Sequence, residues 1–209
     1  PIIGELSIKN AADLPEFTGF NRYLYASGGA RVEGAELTAT LIEAPGFEKV
    51  EGLVTLSPLD NGTYEINGQT FDKVILSCGA WLGQTHEPLG FDVDVRPQKG
   101  QLRDYFFEGM DTGRLPVLMP EGELDVIPFA GGKISVGASH ENDQGFDLTV
   151  DETVLASLEE EAKTYFPDLS TAKSFSERVG TRAYTSDFSP FFGEVPELEG
   201  VFVASGLGS

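Results

Sequence analysis

Arg182 stands among β-branched, small and aromatic residues in the run Val179-Gly180-Thr181-Arg182-Ala183-Tyr184. A guanidinium in such surroundings calls for an anion, and its planar fork suits a carboxylate or phosphate held by two parallel hydrogen bonds. Further on, the apolar run Val201-Phe202-Val203-Ala204 opens into Ser205-Gly206-Leu207-Gly208-Ser209. Glycines there let the backbone approach a ligand closely, and a strand that ends in a glycine turn often holds a cofactor. The pairing suggests a small anion bound beside a cofactor turn.

A second segment has the same form. Phe71-Asp72-Lys73-Val74-Ile75-Leu76-Ser77-Cys78-Gly79-Ala80-Trp81 reads as an apolar strand, a glycine and a short helix, the way a doubly wound sheet offers a strand end to a cofactor. Both strands are expected to be buried on two faces of a parallel sheet. Taken singly, each reads equally well as a core strand followed by a glycine turn.

The elements around these segments are mostly strands. Residues 1–30 are loop-rich, with short strand character around Tyr23-Leu24-Tyr25. From Val32 to Glu43, Leu37, Leu41 and Ile42 recur at helical spacing, and Pro45-Gly46 ends that helix. Asn61-Gly62 and Asn67-Gly68 are hairpin signals within a meander, with strands expected at 53–58 and 73–78. Further strands are expected at 93–97, 101–107, 123–128 and 133–138, the last two joined across Gly131-Gly132. Thr149-Val150-Asp151-Glu152 reads as a capping box. It opens a helix whose face carries Val154, Leu155, Leu158, Ala162, Tyr165 and Phe166, and Pro167 ends it. Strands near 174–183 and 201–205 complete an α+β pattern, mostly antiparallel sheet with flanking helices.

Composition narrows the function classes. The chain has 209 residues, 14 Lys and Arg against 34 Asp and Glu, and a formal charge of −20, a surface that repels nucleic-acid backbones and anionic lipid. The single cysteine, Cys78, excludes an intramolecular disulfide, and with two histidines no metal site is expected. No apolar run approaches the ~18 residues of a membrane span. A globular, cytoplasmic protein with no nucleic-acid or membrane partner is expected; nothing fixes its oligomeric state.

Taken in order, several segments resemble the D-amino acid oxidase superfamily of FAD-dependent oxidoreductases, which includes glycine oxidase and sarcosine oxidase. The resemblance runs from about Gly28-Gly29-Ala30-Arg31-Val32 to the end. It is carried by Lys73 to Trp81, by Val95-Arg96-Pro97-Gln98-Lys99-Gly100-Gln101, and by the hairpin from Ile127-Pro128 to Ser139. Val179 to Thr185 with Pro190 and Gly193, and Ala204 to Ser209, complete it. It implies the substrate domain of that fold plus a few orphan strands of the FAD-binding domain. Residues 1–30 would then be a connecting segment, and 31–80 partial FAD-domain elements and the meander. The substrate-binding domain would span 81–190, and 191–209 would hold the return strand and glycine turn.

The same resemblance implies the site. Arg182 matches the arginine that grips the substrate carboxylate, with an internal salt bridge as its alternative. Val54 matches the strand residue whose backbone meets the adenine. Cys78, Gly79, Ala80 and Trp81 match the turn beside the pyrophosphate, and Gly206, Leu207 and Gly208 the turn that approaches the flavin ring. His140 falls near an active-site position facing the flavin, or else is a solvent-facing loop residue. Tyr184 shares a strand face with Arg182 and is read as pocket lining. Asp125 and Phe129 depart from the family pattern, standing where relatives often carry a tyrosine and an arginine.

The family's Gly-x-Gly-x-x-Gly turn is not found in the sequence. The chain is therefore expected to be a C-terminal portion that neither holds FAD tightly nor turns over alone. In the parent, a small amino acid or amine of the glycine, sarcosine or D-amino acid type would be oxidised by hydride transfer to FAD. The competing reading is a free-standing small-anion-binding or interaction domain using Arg182 without redox chemistry.

Overall fold

The computed structural model describes residues 4–44, 46–85 and 89–208. Pro45 of the helix stop and Ser209 of the terminal turn lie outside them. The fold is α+β, with mostly antiparallel pairing. The chain forms two compact units. The first comprises residues 1–47, 101–139 and 150–179, and the second 48–100, 140–149 and 180–209.

In the first unit, strands β1 (Leu6–Asn10) and β2 (Arg22–Ala26) pair antiparallel. Helix α1 (Gly34–Glu43) forms where the 32–43 periodicity predicts it, yet it buries no residue: Leu41 is 61 % exposed. The long strand β7 (Arg96–Phe106) enters this unit at Gln101 and pairs through Leu102–Phe106 with β9 (Lys133–Gly137), whose other edge takes β8 (Asp125–Pro128). A three-residue turn, Ala130–Gly132, links β8 and β9 as the glycine pair predicts, with Gly131 and Gly132 at positive φ. Helix α3 (Glu152–Tyr165) buries Leu155 and Ala162. Phe107, Val126, Ile134, Val136, Phe166 and Leu169 complete the core with them, each at least 94 % buried.

The capping residue of α3 is Asp151, not Thr149. Its carboxylate accepts from the backbone N–H groups of Thr153 and Val154. The sequence offered two Ser/Thr/Asp candidates, and the shorter register wins because Thr149 is engaged elsewhere: its N–H and hydroxyl both donate to Asp147.

The second unit holds the meander β3 (Leu56–Pro58), β4 (Tyr64–Ile66) and β5 (Gln69–Phe71). Asn67 and Gly68 both take positive φ at the β4–β5 turn, the geometry a tight two-residue hairpin requires. The expected strand at 53–58 begins only at Leu56, since Leu53 is fully exposed and has nothing to pack on. A second three-stranded sheet has the order β11 (Phe191–Glu194), β12 (Val201–Ser205), β6 (Val74–Leu76). β11 was not expected, because Phe191-Phe192-Gly193-Glu194 lacks alternation. The pairing of β12 with β6 is parallel, Val201 facing Val74 and Val203 facing Leu76. The two strands that each suggested a parallel sheet thus pair with each other. Their cores meet at Val74, Leu76, Leu82, Val95, Val201 and Val203, whereas Ile75 is 68 % exposed, so burial is one-faced and not two-faced.

Of the strand expected at 93–97 only residues 96–97 are extended, and they run on without a break into the strand expected at 101–107 as β7. Gly100, between the two expected strands, lies within it. Its neighbour in the sheet is β10 (Lys173–Tyr184).

Candidate active site

All eleven candidate residues fall in the second unit: Arg182, His140, Tyr184, Val54, Cys78, Gly79, Ala80, Trp81, Gly206, Leu207 and Gly208. The parallel pair β6–β12 supplies the frame. Both strands run in one direction, so their C-terminal ends, Cys78-Gly79 and Gly206-Leu207-Gly208, emerge at the same edge. Ser205 Oγ donates to the Gly79 carbonyl at 3.0 Å and ties the two ends together. The short helical turn Gly79–Trp81 and helix α2 (Leu82–Thr85) follow at once, anchored by Ala80 and Leu82 in the core. In open α/β sheets generally, the region outside the carboxyl ends of parallel strands is where dinucleotides bind.

The glycines at this edge have distinct physical reasons. Gly79 has φ 56°, and a Cβ there would meet nothing within 4 Å, so its backbone faces open space. Gly208 is the opposite case: a Cβ would lie 2.6–2.7 Å from the backbone of Ala183, and its N–H donates to the Ala183 carbonyl at 3.1 Å. The terminal turn is therefore laid directly on the strand segment that carries Arg182. The residues present fit a dinucleotide at this edge, with Cys78–Trp81 on one strand end and Gly206–Gly208 on the other.

Arg182 is partly buried near the C-terminal end of β10. Its guanidinium lies across the backbone of Gly100, where a Cβ would stand 2.7–3.0 Å from Nη1, Cζ and Nη2. Nη1 is 3.5 Å from Oε1 of Gln98, a side chain only 3 % exposed. Gln98 in turn donates from Nε2 to Asn142 Oδ1 at 2.7 Å. Arg96, Gln98 and Gly100 alternate along β7, so they share a face. Tyr184 shares a face with Arg182 by the same rule, but its ring is engaged. Arg96 sits over it at 5.2 Å, and Phe188 meets it edge-on at 5.6 Å.

The remaining candidates are placed less closely. Trp81 is 47 % exposed and stacks on Phe146 at 4.8 Å, so it is no core residue. His140 is partly buried directly after Ser139, beside the bridge between Lys99 and Glu141, which does not match a solvent-facing loop histidine. Val54 is half exposed in the irregular run before β3, whose sheet is not the one that holds β6 and β12.

Lys99 is 3 % exposed and pairs with Asp147 at 3.2 Å. The Thr149 hydroxyl, the Thr149 N–H and Lys99 hold the Asp147 carboxyl down to about 2. These bonds pin the segment 141–149, which carries Asn142 to Gln98 and Phe146 to Trp81. Gln98, Gly100 and Asn142 were given no role from sequence. The available signal was a glycine inside a strand two residues from a polar side chain, which marks a close approach. A cavity of about 640 Å³ in this unit, lined by Leu89, Phe91, Phe191, Glu194 and Leu198 among others, contains none of the eleven candidates.

Residues 5–209 match the DAO family, described as FAD dependent oxidoreductase. The uncharacterized oxidoreductase YurR of Bacillus subtilis is 33% identical over 222 residues, which cover 100% of this chain and 59% of that protein. Glycine oxidase of Pseudomonas aeruginosa is 29% identical, over 90% of this chain and 53% of its own length. The crystal structure of iminodiacetate oxidase from Chelativorans sp. BNC1 superposes with a TM-score of 0.85 at 27% identity, covering 100% of this chain and 59% of that one. The chain thus spans little more than half the length of these relatives. With the match running through nearly every residue and the parallel strand ends in place, the chain belongs to the family of FAD-dependent oxidoreductases.

Proposed function

We propose that this chain is the substrate-binding part of an FAD-dependent oxidoreductase acting on a small amino acid or amine of the glycine, sarcosine or D-amino acid type. The observation that carries the reading is the contact between Gly208 and Ala183, which sets an arginine beside a glycine turn at the end of two parallel strands. An anion-binding side chain and a cofactor-type turn are thereby neighbours. Two relatives with related names, glycine oxidase and iminodiacetate oxidase, support the substrate class.

In this reading Arg182 binds the substrate carboxylate through two charge-assisted hydrogen bonds, worth about 1.5–3 kcal/mol each. Held at that end, the substrate presents its Cα–H to one side only, and orientation of this kind lowers the barrier. Tyr184 closes the same face. His140 would orient substrate or a water. Cys78–Trp81 and Gly206–Gly208 would hold FAD, with Val54 assigned to the adenine end. FAD supplies the acceptor for the hydride from Cα, leaving an imine that water hydrolyses. The domain boundaries at 30, 80 and 190 follow from the same resemblance and belong to this proposal.

The test is spectroscopic. The flavin absorbance of the purified holoenzyme should bleach under anaerobic conditions with glycine, sarcosine or D-alanine, and Arg182→Ala should abolish bleaching at the same substrate concentration. Bleaching that survives unchanged in Arg182→Ala would remove the arginine from the site. Absence of flavin binding by the full-length protein, together with anion binding at Arg182, would favour the alternative, a small-anion-binding domain.

A further inference from the structure

The turn Gly79–Trp81 carries three of the residues assigned to FAD, and a single helical turn has little stability of its own. Its inner side is fixed by Ala80 and by the adjoining Leu82, both in the core. Ser205 holds the Gly79 carbonyl from β12. On the outer side Gly79 gives no support, since a Cβ there would meet nothing within 4 Å. Trp81 lies between the two core residues and turns outward, where it stacks on Phe146 with 4.8 Å between ring centres and 27° between ring planes.

Phe146 belongs to the segment 141–149, which is strapped to β7 within the same unit. Lys99 N–H donates to the Glu141 carbonyl at 3.0 Å, and Glu141 N–H donates to the Lys99 carbonyl at 2.9 Å. Further along the segment, the Asp147 carboxylate returns to the Lys99 ammonium at 3.2 Å. One residue thus clasps the segment twice, by its backbone at Glu141 and by its side chain at Asp147. Between the clasps the chain folds on itself, the Asp147 N–H donating to the Gln144 carbonyl at 3.1 Å. The Lys99 side chain is only 3 % exposed, and an ammonium so buried needs a counter-charge, which Asp147 supplies. Phe146 is the neighbour of that pinned carboxylate, so its ring is held against Trp81.

We propose that Phe146 is a positioning residue for the cofactor turn: the segment 141–149, clasped by Lys99, sets its ring against Trp81 and holds Gly79–Trp81 in the form that receives FAD. This rests on the reading of Cys78–Trp81 as an FAD contact. Phe146 acts through Trp81 and not on the reacting atoms.

The test titrates FAD into the full-length apoprotein, followed by flavin fluorescence, and measures hydrogen exchange in the same protein without FAD. Phe146→Ala should weaken FAD binding about fivefold, in line with the loss of one aromatic pair. Exchange should accelerate at the amides of Trp81 and Leu82, which donate to the carbonyls of Cys78 and Gly79. The Val203 amide in β12 should stay protected, a pattern that a general loss of stability does not produce. Phe146→Leu, which keeps apolar bulk without the ring, should act in the same direction, and Phe146→Tyr should behave as wild type. Lys99→Met combined with Asp147→Asn removes both charges together, leaves no ammonium buried alone, and should move both readouts the same way by a smaller factor. Wild-type behaviour of that double variant would overturn the clasp, and equal acceleration at Val203 in Phe146→Ala would overturn the positioning role. If the Phe146 variants bind FAD as wild type while Gly79→Val, which puts a β-branched residue at φ 56°, weakens it, the positioning role is overturned and the reading of the turn stands. If Gly79→Val also binds FAD as wild type, both are overturned.

Discussion

Gly100 and Arg182 lie so close that a single added methyl group would occupy the space of the guanidinium. The atoms that would be displaced belong to the far end of a flexible side chain, so the side chain can move aside and the strand stays in place. Gly100→Ala should therefore leave the free energy of urea unfolding within about 0.5 kcal/mol of wild type, since Ala also costs less chain entropy than Gly in a strand. Affinity for a carboxylate should nevertheless fall about tenfold, because the guanidinium is lifted off β7. Acetate titration and urea unfolding on the same variant separate the two effects.

Gly208 poses the opposite problem. Its missing Cβ faces the backbone of Ala183 at 2.6–2.7 Å, and backbone cannot swing aside. Gly208→Ala should detach the terminal turn from β10 and lose the hydrogen bond to the Ala183 carbonyl, costing about 1–3 kcal/mol. Hydrogen exchange at the Gly208 amide should accelerate, with the first unit's core amides unchanged.

Asp104 is 98 % buried, and burial works to raise its pKa. Hydrogen bonds from Ser135, Arg178 and Ser176 outweigh that and hold the carboxyl below its usual range. Asp104→Ala leaves three donors facing an empty space and should cost about 3 kcal/mol in urea unfolding. Substitution of exposed Glu160 should change the unfolding free energy by less than about 0.5 kcal/mol.

Asp147 gives a pH dependence. Its folded pKa, about 2, lies below the ordinary 3.8, so its contribution to stability is complete above pH 3.8 and is lost as pH falls through about 2. Carbon-13 titration of its carboxyl should show the low midpoint. Thr149→Val should raise it, since the Thr149 hydroxyl is the largest single cause, and Lys99→Met should raise it less.

Local chemistry was legible in the sequence wherever the cause was local. Asn67-Gly68 made a turn, because only residues tolerant of positive φ can close a two-residue hairpin. The glycine pair at 131–132 did the same between β8 and β9, and the periodicity of α3 placed Leu155 and Ala162 in the core. The family was legible too, because its motifs occur in order along the chain.

What the sequence by itself determined, then, was a set of segments: an arginine in a β-rich run, two apolar strands ending in glycine, and the turns between them. Only the tertiary structure decided their partners. Nothing local says that β6 and β12, far apart in the chain, lie parallel with their glycine ends at one edge. That pairing comes from the shared core of Val74, Leu76, Val201 and Val203. Nor does the sequence say that Gln98 and Gly100 sit against Arg182, since each was one more residue in a strand until cross-strand contacts gave it a neighbour. Side-chain type is written along the chain, but proximity follows from packing, and the site is made of proximities.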